Sequence, residues 1–472
     1  WNPASGPGGA ADTVNFNLGM PILSRYIVSN VAGQNRRLLV RNDSVQLTFT
    51  APYSLVETDA DNPSLVVGVS AGNNADLLLF GAGPLTSEHA VLGLASGSQG
   101  VVTVPDGTLW INNRNLRVGG EGAGSLTVLG DVDVRQTLSI GSSGAIHLQG
   151  GRIRLENYER QGTFNFVAGT IRLGTSQFER FFSTDPAITD LFGVTPVVPA
   201  GKALEMERVA FIDTDMTVDG GTFMSLYQPS IGVEEAEGSL TIINGGQVTT
   251  PGGYISGSLY LLPPSAPGAV TVSGAGSTWN AIGAGMGSYA LHVGYRGPGT
   301  LHILDGATVS SLAGWIGSAE GTSVAHVSGE GSSWTMFGDL LIGRFAGCHG
   351  ILTIEDGADV ASGRAFVGEG GNAQTGELGV GEVSVRGTGS QWTIQMTETP
   401  ELPYALRIGV SGDGTVSVAE GARIRVNEGT GKVVLAETQG ASGTLVLGPP
   451  LNEPPGVPGT LEAAQIIGGG GT

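Results

Sequence analysis

The sequence predicts an all-β chain wound into a β-solenoid, with one short helical insertion. Three observations carry that expectation: a sentence of sequence written more than once, a shorter glycine beat inside it, and a composition that suits a thin apolar column. Val272-Ser-Gly-Ala-Gly-Ser-Thr-Trp279, Leu291-His-Val-Gly294 and Gly299-Thr-Leu-His-Ile-Leu-Asp-Gly-Ala-Thr-Val309 return as Val327-Ser-Gly-Glu-Gly-Ser-Ser-Trp334, Leu340-Leu-Ile-Gly343 and Gly350-Ile-Leu-Thr-Ile-Glu-Asp-Gly-Ala-Asp-Val360. A looser third copy comprises Val385-Arg-Gly-Thr-Gly-Ser-Gln-Trp392, Leu406-Arg-Ile-Gly409 and Gly414-Thr-Val-Ser-Val-Ala-Glu-Gly-Ala-Arg-Ile424. Self-similarity at a fixed period marks units that each cover a neighbour's apolar face.

The period sets the architecture. Trp279 to Trp334 spans 55 residues and Trp334 to Trp392 spans 58, but Gly294, Gly317, Gly343 and Gly368 are spaced by 23, 26 and 25, the length of one coil. Inside a coil, Leu301-His-Ile303, Leu352-Thr-Ile354 and Val416-Ser-Val418 alternate apolar with polar or small residues, as strands buried on one face do. Asp305-Gly306, Asp356-Gly357 and Glu420-Gly421 then break each strand at a turn that tolerates positive φ. No helix of ordinary length fits between these glycines.

Composition agrees. Of 472 residues 80 are Gly, 14% are charged and 40% are hydrophobic, which is too apolar for a disordered linker and too glycine-rich for an average enzyme. The net charge of −20 opposes any approach to nucleic acid phosphates. One cysteine, Cys348, rules out an intrachain disulfide; Cys and His spacings for a metal are absent, and no apolar run is long enough for a membrane span. Beginning at Trp1 and stopping inside Gly468-Gly-Gly-Gly-Thr472, the chain reads as a processed or partial product.

In chain order, residues 1–60 alternate like strands but lack the repeat, and are expected to cap or join an exposed solenoid end. Residues 61–175 carry the coil beat, with Gly68, Gly93, Gly119 and Gly141 spaced by 25, 26 and 22. Residues 176–200 are an insertion: Asp185 as N-cap, Pro186 in the first turn, Ile188, Leu191 and Phe192 at helical spacing and Gly193 as terminator spell a short helix, preceded by Phe178, Phe181 and Phe182. Residues 201–472 return to the solenoid, with the repeats clearest over 270–447. Prolines at Pro263 to Pro267, Pro400 to Pro403 and Pro449 to Pro458 mark surface loops. Roughly 15 to 18 coils at about 4.8 Å each would make a rod on the order of 80 Å long.

These units resemble the autotransporter-associated and PEP-CTERM-associated repeats of large exported bacterial surface proteins. Val198-Pro-Ala-Gly-Lys-Ala-Leu-Glu205 and Val218-Asp-Gly-Gly-Thr-Phe223 also look like the segments between repeat blocks there. The resemblance implies export, a right-handed parallel β-helix, and a place at the cell surface or in extracellular matrix.

Three functions follow as expectations. The first is structural: an extracellular protein that associates with itself into a fibre, sheath or layer. The second is an adhesin whose loops meet surface glycans. The third is a polysaccharide lyase or hydrolase, which needs carboxylates paired with each other or with Arg or Lys. Asp131-Val-Asp133 and Asp213-Thr-Asp215 place two carboxylates on one side of a strand, but neither pair stands in a visible basic or His-bearing cluster, so both read as solvated strand faces. His292, His302, His326 and His349 are single and read as surface residues; Arg296, Arg344 and Glu369 follow corner glycines as a charged edge; Asp305, Asp356 and Glu420 read as turn formers. Trp279, Trp334 and Trp392, two coils apart, read as a packing ladder in preference to a sugar-stacking surface. The residues therefore assign no catalytic centre, cofactor or metal.

Overall fold

A computed structural model describes residues 9–19, 25–174, 179–233, 236–257, 266–282, 290–319, 321–371, 377–395, 404–448 and 457–470. Phe178, most of the three proline runs and both chain ends lie outside them. The chain forms two compact units, one of Trp1–Phe178, Pro186–Phe192 and Gly201–Arg208, the other of Glu179–Asp185, Gly193–Ala200 and Val209–Thr472.

In the first unit, Thr13–Phe16, Arg37–Val40, Leu65–Val67, Ala90–Leu92 and Leu116–Val118 pair in succession, every pair parallel and in register, so that Leu38 meets Leu65, Leu65 meets Ala90 and Ala90 meets Leu116. A second ladder runs from Ser44–Leu55 through Asn74–Gly81, Gln99–Val104, Ala123–Val128 and Gly144–Arg160 to Thr163–Leu173. Strands before residue 60 thus already belong to the stacked rungs. Pro186–Leu191 is the short helix; Phe192 sets its ring edge against Phe166 at 5.6 Å, and the Tyr158 hydroxyl donates to Asp190 at 2.6 Å, which holds the helix on the outside of the last rungs.

The second unit has three faces. One is an eleven-stranded sheet from Glu179–Phe181 to Gln465–Gly468, and another is a ten-stranded sheet from Val197–Pro199 to Ser442–Leu447. A third ladder begins at Thr222–Ser225 and ends at Thr460–Glu462. Among the described residues all pairings between named strands are parallel, and no helix is long and apolar enough to cross a membrane. Burial alternates along Gly299–Leu304, with Leu301 and Ile303 inside, as the period-2 pattern predicts.

The repeated sentence is a set of contacts between rungs. Trp279, Trp334 and Trp392 are fully buried, and register places Val309 between the first two and Val360 between the last two, so large and small residues alternate up the core. Each indole N–H donates to a hydroxyl on the rung before: Thr250 at 2.9 Å, Ser311 at 3.1 Å and Ser362 at 3.2 Å. Trp110 in the first unit does the same to Ser87 at 2.9 Å, a fourth instance outside the visible repeat. Gly314 lacks a side chain because a Cβ there would stand 2.8 Å from Cζ2 of Trp334.

The serines serve the turns. Ser332 and Ser390 accept the N–H groups of Gly306 and Gly357 on the preceding rung, both at 2.9 Å. Ser273 and Ser328 donate to Asp305 and Asp356 on the following one, at 2.7 and 2.9 Å. Asp305, Asp356 and Glu420 sit at φ of 57°, 56° and 57°, each before a left-handed glycine, which confirms them as turn formers. In the third copy Arg386 stands in the Ser position and Glu420 in the Asp position, and Arg386 pairs with Glu355 on the preceding rung at 2.5 Å in place of the forward hydroxyl bond.

Ser311→Ala leaves the Trp334 indole N–H buried without an acceptor and is expected to cost about 1–3 kcal/mol in denaturant unfolding. Combined with Trp334→Phe, the two losses are expected to fall short of their sum by about 1 kcal/mol; strict additivity would show that the bond contributes nothing.

Candidate functional site

Outward positions of a stacked rung meet the same positions above and below, so charge on this surface is decided by register. In the first unit Asp131 and Asp133 lie directly against Arg152 and Arg154, and Arg154 against Arg172. Arg152 reaches Asp131 at 2.9 Å; Arg154 reaches Asp133 at 3.2 Å and Glu207 at 2.7 Å; Arg172 reaches Glu207 at 2.6 Å; Arg135 returns to Asp133 at 3.1 Å. The expectation that this carboxylate pair lacks basic neighbours is therefore corrected: Arg-Ile-Arg at 152–154 is the complement of Asp-Val-Asp at 131–133, separated by one coil. Burial works against the charge on Arg154, but the hydrogen bonds that it donates to Glu207 and Glu156 outweigh it and raise its pKa. Rows of carboxylates thus flank rows of guanidiniums.

Asp213 and Asp215 have another use. Asp213 accepts the backbone N–H of Ser183 at 2.9 Å and the Ser183 hydroxyl, and Asp215 accepts the Ser239 hydroxyl at 2.6 Å. Both carboxylates fasten neighbouring segments within the second unit, and among the described residues no three His, Cys, Asp or Glu side chains are placed to hold a metal.

The histidines divide. His326 pairs with Glu355 at 2.7 Å and His349 with Glu382 at 3.1 Å, both partly exposed, and the His302 and His326 rings lie edge to face at 5.7 Å. Burial opposes ionisation of Glu355, yet Arg386 and His326 together hold its carboxyl below the usual value. His292, expected at the surface, is instead 2% exposed. It occupies the x of Leu-x-Val-Gly, and that position stacks Tyr254, His292, Trp315, Leu341, Phe366 and Arg407 on successive rungs of one face. Tyr254 stacks on the His292 ring at 4.8 Å, Tyr295 meets it at 5.0 Å, and Trp315 meets it edge to face at 4.3 Å.

Corner residues roof this column. The Arg344 guanidinium lies 3.6 Å over the Trp315 ring and 3.7 Å from Glu369, with both charged side chains half-buried, so the expected charged edge is partly folded down onto aromatic rings. Arg296 stands 5.6 Å over Tyr295. Burial pushes the Glu369 carboxyl up, with Arg344 opposing. The tryptophans singled out in the repeat are the interior ones; the outward ring, Trp315, carries no repeat signal because its position changes from coil to coil of this chain, from Tyr254 to Arg407.

Comparison with protein-family models finds no match, and comparison with curated protein sequences finds none. Among solved structures, the crystal structure of a TibC-catalyzed hyper-glycosylated TibA55-350 fragment is similar at 12% identity and a TM-score of 0.24, over 97% of this chain and 100% of that one. At that score the likeness carries no argument about function.

Burial, with the Arg344 charge adding to it, depresses His292 to about 3, whereas an unfolded histidine titrates near 6.5. The unfolded chain therefore binds the extra proton between those values, so stability is intact above about pH 6.5 and falls as pH drops toward 3. Denaturant midpoints taken from about pH 7 down to pH 5 are expected to decline, by at most about 1.4 kcal/mol per pH unit from this group, and His292→Phe is expected to flatten the decline. Equal slopes for the two proteins would show that His292 does not titrate on unfolding.

Proposed function

We propose that the chain is an exported structural protein of the bacterial cell surface or extracellular matrix that associates with further copies of itself. The reading combines the resemblance of the repeats to those of exported surface proteins with a stacked, parallel β architecture whose rungs repeat the same contacts. We take the winding as right-handed, the hand that nearly all parallel crossovers adopt.

The observation that carries self-association is an apolar stripe on one corner of the second unit. Ala281 pairs with Ser311 and Ser311 with Met336, so the next residues, Ile282, Leu312 and Phe337, stand on successive rungs, 36%, 43% and 61% exposed. The Gly338 N–H donates to the Leu312 carbonyl at 2.6 Å, which fixes that corner's stacking. Such an exposed apolar row offers a contact for a like row on a second copy, and its burial has to outweigh the repulsion between two chains of net charge −20.

Sedimentation velocity over a concentration series, with electron microscopy of the same samples, is expected to show ordered assemblies that Phe337→Asp disrupts while the thermal midpoint is retained. A monodisperse monomer at every concentration would overturn the reading.

A further inference from the structure

The chain contains one Asn-Gly dipeptide, Asn244-Gly245, at a turn of the second unit directly after the strand Gly238–Ile243. An asparagine before glycine loses its side-chain amide more readily than one before other residues, because glycine has no Cβ to hinder ring closure. Asn244 is exposed and stands at φ 54°, in the place that Asp305, Asp356 and Glu420 hold in later coils. Only this coil puts an amide there.

Two bonds to neighbouring rungs hold the dipeptide. The Gly245 N–H donates to the Ser277 hydroxyl on the following rung at 3.1 Å, as the Gly306 and Gly357 N–H groups do to Ser332 and Ser390. Ser277 is fully buried, so the Gly245 peptide plane is fixed from the inside. On the other flank, Nδ2 of Asn244 donates to Asp219 on the preceding rung at 2.6 Å. In later coils that second contact runs from Ser273 to Asp305 and from Ser328 to Asp356. Here the carboxylate has moved to the earlier rung and the turn residue supplies the donor.

We propose that Asn244 is a deamidation site gated by the stacking of rungs, shut while Ser277 and Asp219 hold the turn and open once the corner loosens. The Gly245 nitrogen gives up its proton and attacks Cγ of Asn244. The new N–Cγ bond closes a succinimide ring, the Cγ–Nδ2 bond breaks, and ammonia leaves with a proton taken from solvent. Water then opens the ring at either carbonyl, giving aspartate or isoaspartate without any redox change. In the closed turn the Gly245 peptide plane has to leave Ser277 before it can swing toward the side chain. The Asp219 carboxylate also opposes the negative charge that develops on the Asn244 side-chain oxygen during attack. The product does not fit the turn it came from. Aspartate at 244 has no donor for Asp219 and sets a second carboxylate against it, and isoaspartate adds a methylene to the backbone just before Gln247–Thr249, a strand paired on both edges. A corner that has opened is thereby marked and kept open. The inference involves no contact between copies and stands apart from self-association.

The test is mass spectrometry of the intact chain held at mildly alkaline pH, following the peptide that contains residue 244 for conversion of amide to acid and resolving its aspartate and isoaspartate forms. Chain unfolded in guanidinium at the same pH supplies the ungated rate. The folded chain is expected to react about a hundredfold more slowly, and Ser277→Ala and Asp219→Asn each to speed it about tenfold, the equivalent of one hydrogen bond. Ser332→Ala removes the same bond from the Gly306 turn and is expected to leave the Asn244 rate unchanged, which separates gating from a general loss of stability. Asn244→Asp is expected to lower the thermal midpoint, and Asp219→Asn added to it to restore the midpoint by exchanging donor and acceptor. Equal rates in folded and unfolded chain, an unchanged rate in both Ser277→Ala and Asp219→Asn, or equal acceleration by Ser332→Ala would overturn the proposal.

Discussion

Parallel, in-register stacking is the constraint on which the rest depends. Because each rung hydrogen-bonds to the next at a spacing of about 4.8 Å, a residue's closest neighbours are those at the same position one coil earlier and later. Inside, that forces shape to alternate, and Trp279, Val309, Trp334, Val360 and Trp392 do so. Outside, it brings opposite charges together from different rungs: Asp131 and Asp133 lie against Arg152 and Arg154, and Arg172, stacked on Arg154, lies against Glu205. The same rule gives each interior indole a hydroxyl on the rung before, because two residues beyond the paired position the earlier strand presents a small polar side chain.

Much of this was legible where chemistry repeats. The Asp-Gly turns, the interior tryptophans and the helix at 186–191 follow from local pattern, because a left-handed turn, an alternating strand and a helix start each need particular residues within a few positions. What stayed illegible needed the register between coils of unequal length. Asp131 finds Arg152 only if 21 residues make the coil there, although the coils before it take 25, 26 and 22. His292 looked like a surface residue because its own strand makes it outward-facing; Tyr295 and Arg344, from corners on its own rung and a later one, cover that face. A strand's alternation reports the side on which a residue emerges, not whether something roofs that side.

Glycine has two separate duties in this surface. At turns it accepts a positive φ, as Gly357 does after Asp356. At Gly151 its duty is absence: the chain passes so close to the rung before that any side chain would collide with a carbonyl oxygen. A high glycine content, read from composition alone as a requirement of corners, is therefore also a requirement of close approach between rungs.

The alternation of tryptophan with valine means that the true structural quantum is two coils, not one. Excising a single coil would bring Trp279 directly against Trp334 and strand an indole from its hydroxyl, whereas losing or duplicating a pair restores both contacts. Recombination within such a gene is therefore filtered by parity: lengthened and shortened descendants that still fold differ from this chain by even numbers of coils through the tryptophan-bearing stretch.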